Sequence, residues 1–161
     1  MDDVLFWEKL INAFTGRETS VYDLLYLCGE VQTVERIVDV AAERYRRKYP
    51  SAGVVRTDAE GFVREMVEQF THTDRFAAER MERIAGGSIY AMPSCDLYIF
   101  EHIDGVAGKE SVEQRLYGIL DWLLENGRQI IITGSAPTAA IRNLAPRIRA
   151  QIDGGITFCA E

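Results

Sequence analysis

The sequence predicts an α/β domain built on a parallel sheet. Three observations carry this expectation. Short, mostly apolar runs at 23–28 (DLLYLC), 97–100 (LYIF) and 129–133 (QIIIT) lack polar alternation, as strands buried on both faces do. Between them lie segments whose apolar residues recur at helical spacing. Strand and helix alternate along the chain, which right-handed crossovers turn into a parallel sheet. With 161 residues, 47% of them hydrophobic and 27% charged, the chain suffices for one soluble domain with a sizeable core.

The elements follow in order. Leu5–Phe14 puts Leu5, Phe6, Trp7, Leu10, Ile11 and Phe14 on one helical stripe, closed by Gly16. Strand Asp23–Cys28 comes next. A helix over Val34–Tyr49 turns Ile37, Val38, Ala41, Ala42 and Tyr45 inward, with Thr33 as its cap and Pro50 as its stop. Gly53–Thr57 is a second strand. Thr57 heads another helix, with Glu60 completing a capping box and Phe62, Val63, Met66, Val67 and Phe70 facing inward. Asp74–Ile84 is helical and 86–93 (GGSIYAMP) a loop before the strand at Leu97–Phe100. Glu110–Glu125 buries Val112, Leu116, Ile119, Leu120, Leu123 and Leu124 and ends at Asn126-Gly127. The strand at 129–133, a short helix over 138–152 and a last strand, Ile156–Ala160, bring the strands to five.

Composition excludes several classes. The net charge of −7 disfavours non-specific duplex binding, which depends on neutralising phosphates. No apolar run approaches membrane-spanning length, and the acidic start, MDDVLFWEKL, is not a secretory signal. Cys28, Cys95 and Cys159 lack CxxC spacing, so they are expected to be buried free thiols in a reducing, cytoplasmic setting, with no disulfide and no metal set.

Chemistry is expected past the strand at 97–100. Polar groups beyond the carboxyl end of a central parallel strand sit where open α/β sheets place ligands. Here 97–110 reads LYIFEHIDGVAGKE, so Glu101, His102 and Asp104 emerge there. Glu101 and His102 are sequence neighbours on a strand end, so their side chains should point apart. That weakens a metal or acid–base role against a plain polar rim.

The same stretch, together with LYLCG at 25–29, QIIIT at 129–133 and LAPRIRAQ at 144–151, resembles the ATPase core of the bacterial replication initiator DnaA family over nearly the whole chain. The resemblance implies a three-layer P-loop NTPase fold of the AAA+ type with a five-stranded parallel sheet. It also implies a single core domain over 1–161, without the family's helical lid or C-terminal DNA-binding domain. In the family, two acidic residues after the Walker B strand hold Mg²⁺ and polarise water; their positions carry Glu101 and His102. The family's sensor 1 Asp-Arg pair is matched by Ser135-Ala136. Its arginine finger falls at Gln151, with Arg147 and Arg149 close by; a two-residue register slip would make Arg149 the finger.

The phosphate loop should lie after the first strand. A working one, G-x-x-x-x-G-K-[ST], turns backbone N–H groups and a lysine on the phosphates. Here Gly29-Glu30-Val31-Gln32-Thr33-Val34-Glu35-Arg36 keeps the first glycine, puts β-branched Val34 at the second, Glu35 at the lysine and Arg36 at the hydroxyl. Two like charges about 4 Å apart repel by roughly 4 kcal/mol at an effective dielectric of 20. The degenerate nucleotide site is thus Gly29, Glu30, Glu35, Arg36, Glu101 and His102, and Arg147, Arg149 and Gln151 form an interaction edge.

The expectation is a non-catalytic DnaA-like module with no cofactor, no metal and no membrane contact. It would act on a protein partner: a replication initiator, another AAA+ protein or itself. Two rivals stay open: a residual ATP/ADP binder without hydrolysis, and a nucleic-acid accessory using Arg44–Lys48, within the basic and aromatic run Arg44–Tyr49. That run also ends a helix, where cations favour the dipole. Ser135 has no histidine at motif spacing, so a hydrolase triad is not expected. Trp122 fits either core or contact surface.

Overall fold

A computed structural model describes Ile11, Phe14 and residues 23–71 and 94–160, apart from the side chains at 68–71. The expected helix Asp74–Ile84, the loop at 86–93, the side chain of Phe70 and most of Leu5–Phe14 lie outside the described residues. Ile11 and Phe14 are helical and buried.

The described elements are β1 (Leu24–Gly29), α1 (Val31–Lys48), β2 (Val54–Asp58), α2 (Ala59–Thr71), β3 (Leu97–Glu101), α3 (Glu110–Glu125), β4 (Gln129–Gly134), α4 (Pro146–Asp153) and β5 (Ile156–Ala160). Two 3-10 turns, Ile103–Val106 and Thr138–Ala140, follow β3 and β4. The sheet is five-stranded and parallel, in the order β2-β3-β4-β1-β5. β3 and β4 are buried throughout and β1 nearly so, whereas the flanking β2 and β5 are half-exposed. The apolar runs were therefore a correct sign of central strands.

Strand alternation divides the core in two. Tyr26, Tyr98, Phe100, Ile130 and Ile132 face a layer that includes Phe62 and Met66 of α2, Leu116 and Leu120 of α3, and Ile148 and Ile152 of α4. Leu25, Leu27, Leu97, Ile99 and Ile131 face the other layer, made of the α1 stripe with Ile11 and Phe14. Trp122 packs half-buried on the first layer, with the Arg128 guanidinium 6.0 Å from its ring centre.

Several expectations need correction. α1 starts at Val31 instead of Val34, and its cap is Glu30, not Thr33. β2 runs through Thr57 to Asp58, and the Asp58 carboxylate accepts the Gly61 amide at 2.7 Å, so Asp58 rather than Thr57 caps α2. Val67, expected inside, is 53% exposed. The helix expected over 138–152 is a 3-10 turn and a separate α4, because Pro146 favours the first helical position and Asn143 turns with φ 66°. Cys28 and Cys159 are not free thiols. They are register partners on β1 and β5 and form a disulfide; Cys95 is free and buried.

Candidate functional site

The site lies at the carboxyl ends of β1, β3 and β4. β1 ends on Gly29 with φ +134°, a conformation L side chains rarely adopt. A Cβ there would lie 2.0 Å from the Ala160 carbonyl oxygen. After one intervening residue, Glu30, α1 begins at Val31. Of the eight residues expected as a phosphate loop, Val31–Arg36 are helical, and Val34 is buried in the core.

Glu30 closes the head of this helix. Its carboxylate accepts the Gln32 amide at 3.1 Å, the Thr33 amide at 2.8 Å and the Thr33 hydroxyl at 2.6 Å. These bonds, the Thr33 hydroxyl foremost, hold its carboxyl below the usual range. A helix N-terminus is a ready anion site. Here the anion at that end is the chain's own.

Glu101 and His102, expected to point apart by strand alternation, are instead both tied to α1, Glu101 through Arg56 and Asp39 and His102 through Glu35 one turn earlier, because the left-handed backbone of His102 ends the alternation. Glu101, however, is not part of an open rim. It is buried, and Arg56 on β2 donates to it through Nε at 3.2 Å and Nη2 at 2.8 Å. Arg56 Nη1 also lies 2.7 Å from Asp39 of α1. The Glu101 bonds, against the opposing effect of burial, raise the arginine's pKa above its ordinary value. His102 leaves the strand. Its left-handed backbone, φ 62°, carries the chain from β3 into the 3-10 turn. Its amide donates to the Thr133 hydroxyl at 2.9 Å, and its Nε2 lies 3.6 Å from Glu35.

Asp104 accepts the Ser135 amide at 2.9 Å and, through its other oxygen, the Ser135 hydroxyl. Tyr26 donates to the Ala136 carbonyl at 2.6 Å; burial first, then Asp104, raises the phenol's pKa. Gly29, Val31, Val34, His102, Asp104, Thr133, Gly134 and Ser135 line a cavity of about 290 Å³. Among the described residues, no three His, Cys, Asp or Glu side chains are grouped to hold a metal ion.

Of the sequence-predicted site residues, Gly29 and His102 line the cavity and Glu35 reaches His102. Glu30 is spent on the cap and Glu101 on Arg56; Arg36 is exposed on α1. The expected edge on α4 is partly folded in. Arg147 is exposed and sits 4.5 Å over the Tyr117 ring, Arg149 Nη2 is 3.5 Å from the Ile141 carbonyl, and Gln151 donates to the Tyr117 carbonyl at 3.2 Å. Of the basic run, Tyr45 is buried in the core and Arg47 pairs with Glu43. Thr133 was missed as a site residue. It ends an apolar run at the same edge of the sheet, the signal that had picked out Glu101 and His102.

Comparison with known proteins gives a consistent result. The family model described as the bacterial DnaA ATPase domain matches residues 17–159. The chromosomal replication initiator DnaA of Sphingopyxis alaskensis is 26% identical over 145 residues, 89% of this chain and 30% of that protein. The DnaA of Francisella tularensis subsp. novicida is 28% identical over 116 residues, 72% of this chain and 22% of that protein. The chain thus spans less than a third of the length of these relatives. Among solved structures, domain III of Thermotoga maritima DnaA superposes with a TM-score of 0.81 at 14% identity, over 99% of this chain and 62% of that one. AMPPCP-bound DnaA from Aquifex aeolicus does so with 0.78 at 20% identity, over 95% and 45%. These likenesses share the five-stranded α/β fold.

Proposed function

From the premise that the chain belongs to the bacterial DnaA ATPase-domain family, whose model matches residues 17–159, we propose that it is a non-catalytic AAA+ module acting through protein–protein contact in the control of replication initiation. The observation that carries this reading is the head of α1. A nucleotide's phosphates would need free backbone N–H groups there. Glu30 occupies those of Gln32 and Thr33 with a carboxylate, and the helix begins too soon after β1 to leave a cradle. Glu35, in the lysine's place, adds a second negative charge and faces His102.

The partner is a replication initiator, another AAA+ protein or a second copy of this chain. A cytoplasmic location belongs to the same reading, because chromosomal replication, for which the relatives are named, takes place inside the cell. Residual nucleotide binding without hydrolysis is the rival, and the cavity of about 290 Å³ is the observation that favours it.

The test is direct. Millimolar ATP or ADP with magnesium should leave the melting temperature unchanged and give no turnover above a buffer blank. Binding at a hundredfold excess over Kd would add about 2.7 kcal/mol, several degrees for a domain of this size. A shift of that order favours the rival. Turnover that disappears in His102→Ala would overturn the non-catalytic reading altogether.

A further inference from the structure

We propose that Cys28 and Cys159 form a reversible thiol–disulfide couple that locks the edge strand β5 onto the wall of the cavity. The two cysteines are direct register partners on parallel neighbours, with Cα atoms 4.5 Å apart, and they close a span of 131 residues. β5 pairs with β1 and with no other strand of the described sheet. The next register pair is Gly29 with Ala160. Gly29 lines the cavity, and its missing Cβ is what lets the Ala160 carbonyl approach. The bond therefore fastens β5 beside the residue that leads from β1 into α1.

The two thiols differ in access, which gives the chemistry an order. Cys159 is on an exposed position of β5 and Cys28 is fully buried. A low-molecular-weight disulfide such as oxidised glutathione is the oxidant. The Cys159 thiolate attacks one of its sulfurs, forming a mixed disulfide and releasing one glutathione thiol. Cys28 then attacks the Cys159 sulfur, the protein disulfide forms, and the second glutathione thiol leaves. Two protein thiols are oxidised, one glutathione disulfide is reduced, and the two protons end on the released thiols. Cys95 stays a spectator: it precedes β3, at the opposite end of the sheet, and burial pushes its thiol up to about 11. In a reducing compartment such a pair cycles instead of persisting.

The experiment compares the full chain after treatment with oxidised glutathione and after dithiothreitol. Thiol titration under denaturing conditions should count one free cysteine in the first state and three in the second. The oxidised form should melt about 10 °C higher, from the long loop closed in the unfolded chain. Amide exchange over 156–160 should be about tenfold slower in the oxidised form, with β4 changing far less. In Cys159→Ser the two treatments should give the same melting temperature. Three free thiols after the oxidant, a glutathione adduct that never resolves, or equal exchange of β5 in both states would each overturn the proposal.

Discussion

Among the described residues, a glutamate carboxylate accepts backbone amides at the heads of both α1 and α4, and the two arrangements are opposites. α1 is headed by Glu30, exposed, adjacent in sequence, and bonded to residues two and three positions on. α4 is headed by a carboxylate from elsewhere. Glu113 of α3, buried to 6% exposure, accepts the Ala145 amide at 2.6 Å, 32 residues away. Pro146, at the first helical position, has no amide to satisfy. The local cap closes a helix end that faces the cavity. The remote one welds α4 to α3 and so fixes the Arg147–Gln151 edge. The same functional group serves an electrostatic purpose in one place and a packing purpose in the other, and burial makes the difference.

That contrast is easiest to break at Glu113. Glu113→Ala leaves the half-buried Ala145 amide without its acceptor, which costs about 2 kcal/mol. The melting temperature should fall by about 6 °C. Glu113→Gln keeps an acceptor oxygen and should lose less. Equal losses in the two variants would mean that the carboxylate's charge, and not its hydrogen bond, holds α4.

Glu30 should give a smaller effect, and one that depends on pH. Its carboxyl is more acidic in the folded chain than in the unfolded one, so its contribution is present above the ordinary value of 4.5 and is lost as pH falls through the depressed folded value. The melting temperature of wild type minus that of Glu30→Gln should therefore be constant from pH 7 to about 5 and shrink below that. A difference that grows on acidification would show that the carboxylate does not act as the cap.

The smallest effect is expected from restoring a lysine. Glu35→Lys removes the negative charge from the family's lysine position. It leaves Glu30 on the amides and residues 31–36 wound into α1. Millimolar ATP should still produce no thermal shift in this variant. A clear shift would show that the head of α1 can open to accept phosphate, and the distinction between the two caps would lose its functional meaning.

The sequence by itself determined the strands, the α1 and α3 stripes and the family. Apolar runs, 3.6-residue periodicity and turn residues are local properties, and Glu110–Glu125 and Ile156–Ala160 were read with their observed bounds. It also located the end of the sheet where the cavity lies, because His102 follows directly from a buried strand. Glu30 was within reach of sequence, since a cap acts over three residues, but family register assigned that position to a phosphate loop and so drew attention away from it. Only the tertiary structure decided the rest. Arg56 on Glu101, Glu113 on Ala145, Thr133 on the His102 amide and Cys28 on Cys159 are separated by 31 to 131 residues in the chain. Each pair meets because strand order in the sheet and helix packing upon it bring distant residues together, and no spacing rule in the sequence encodes which element lies beside which.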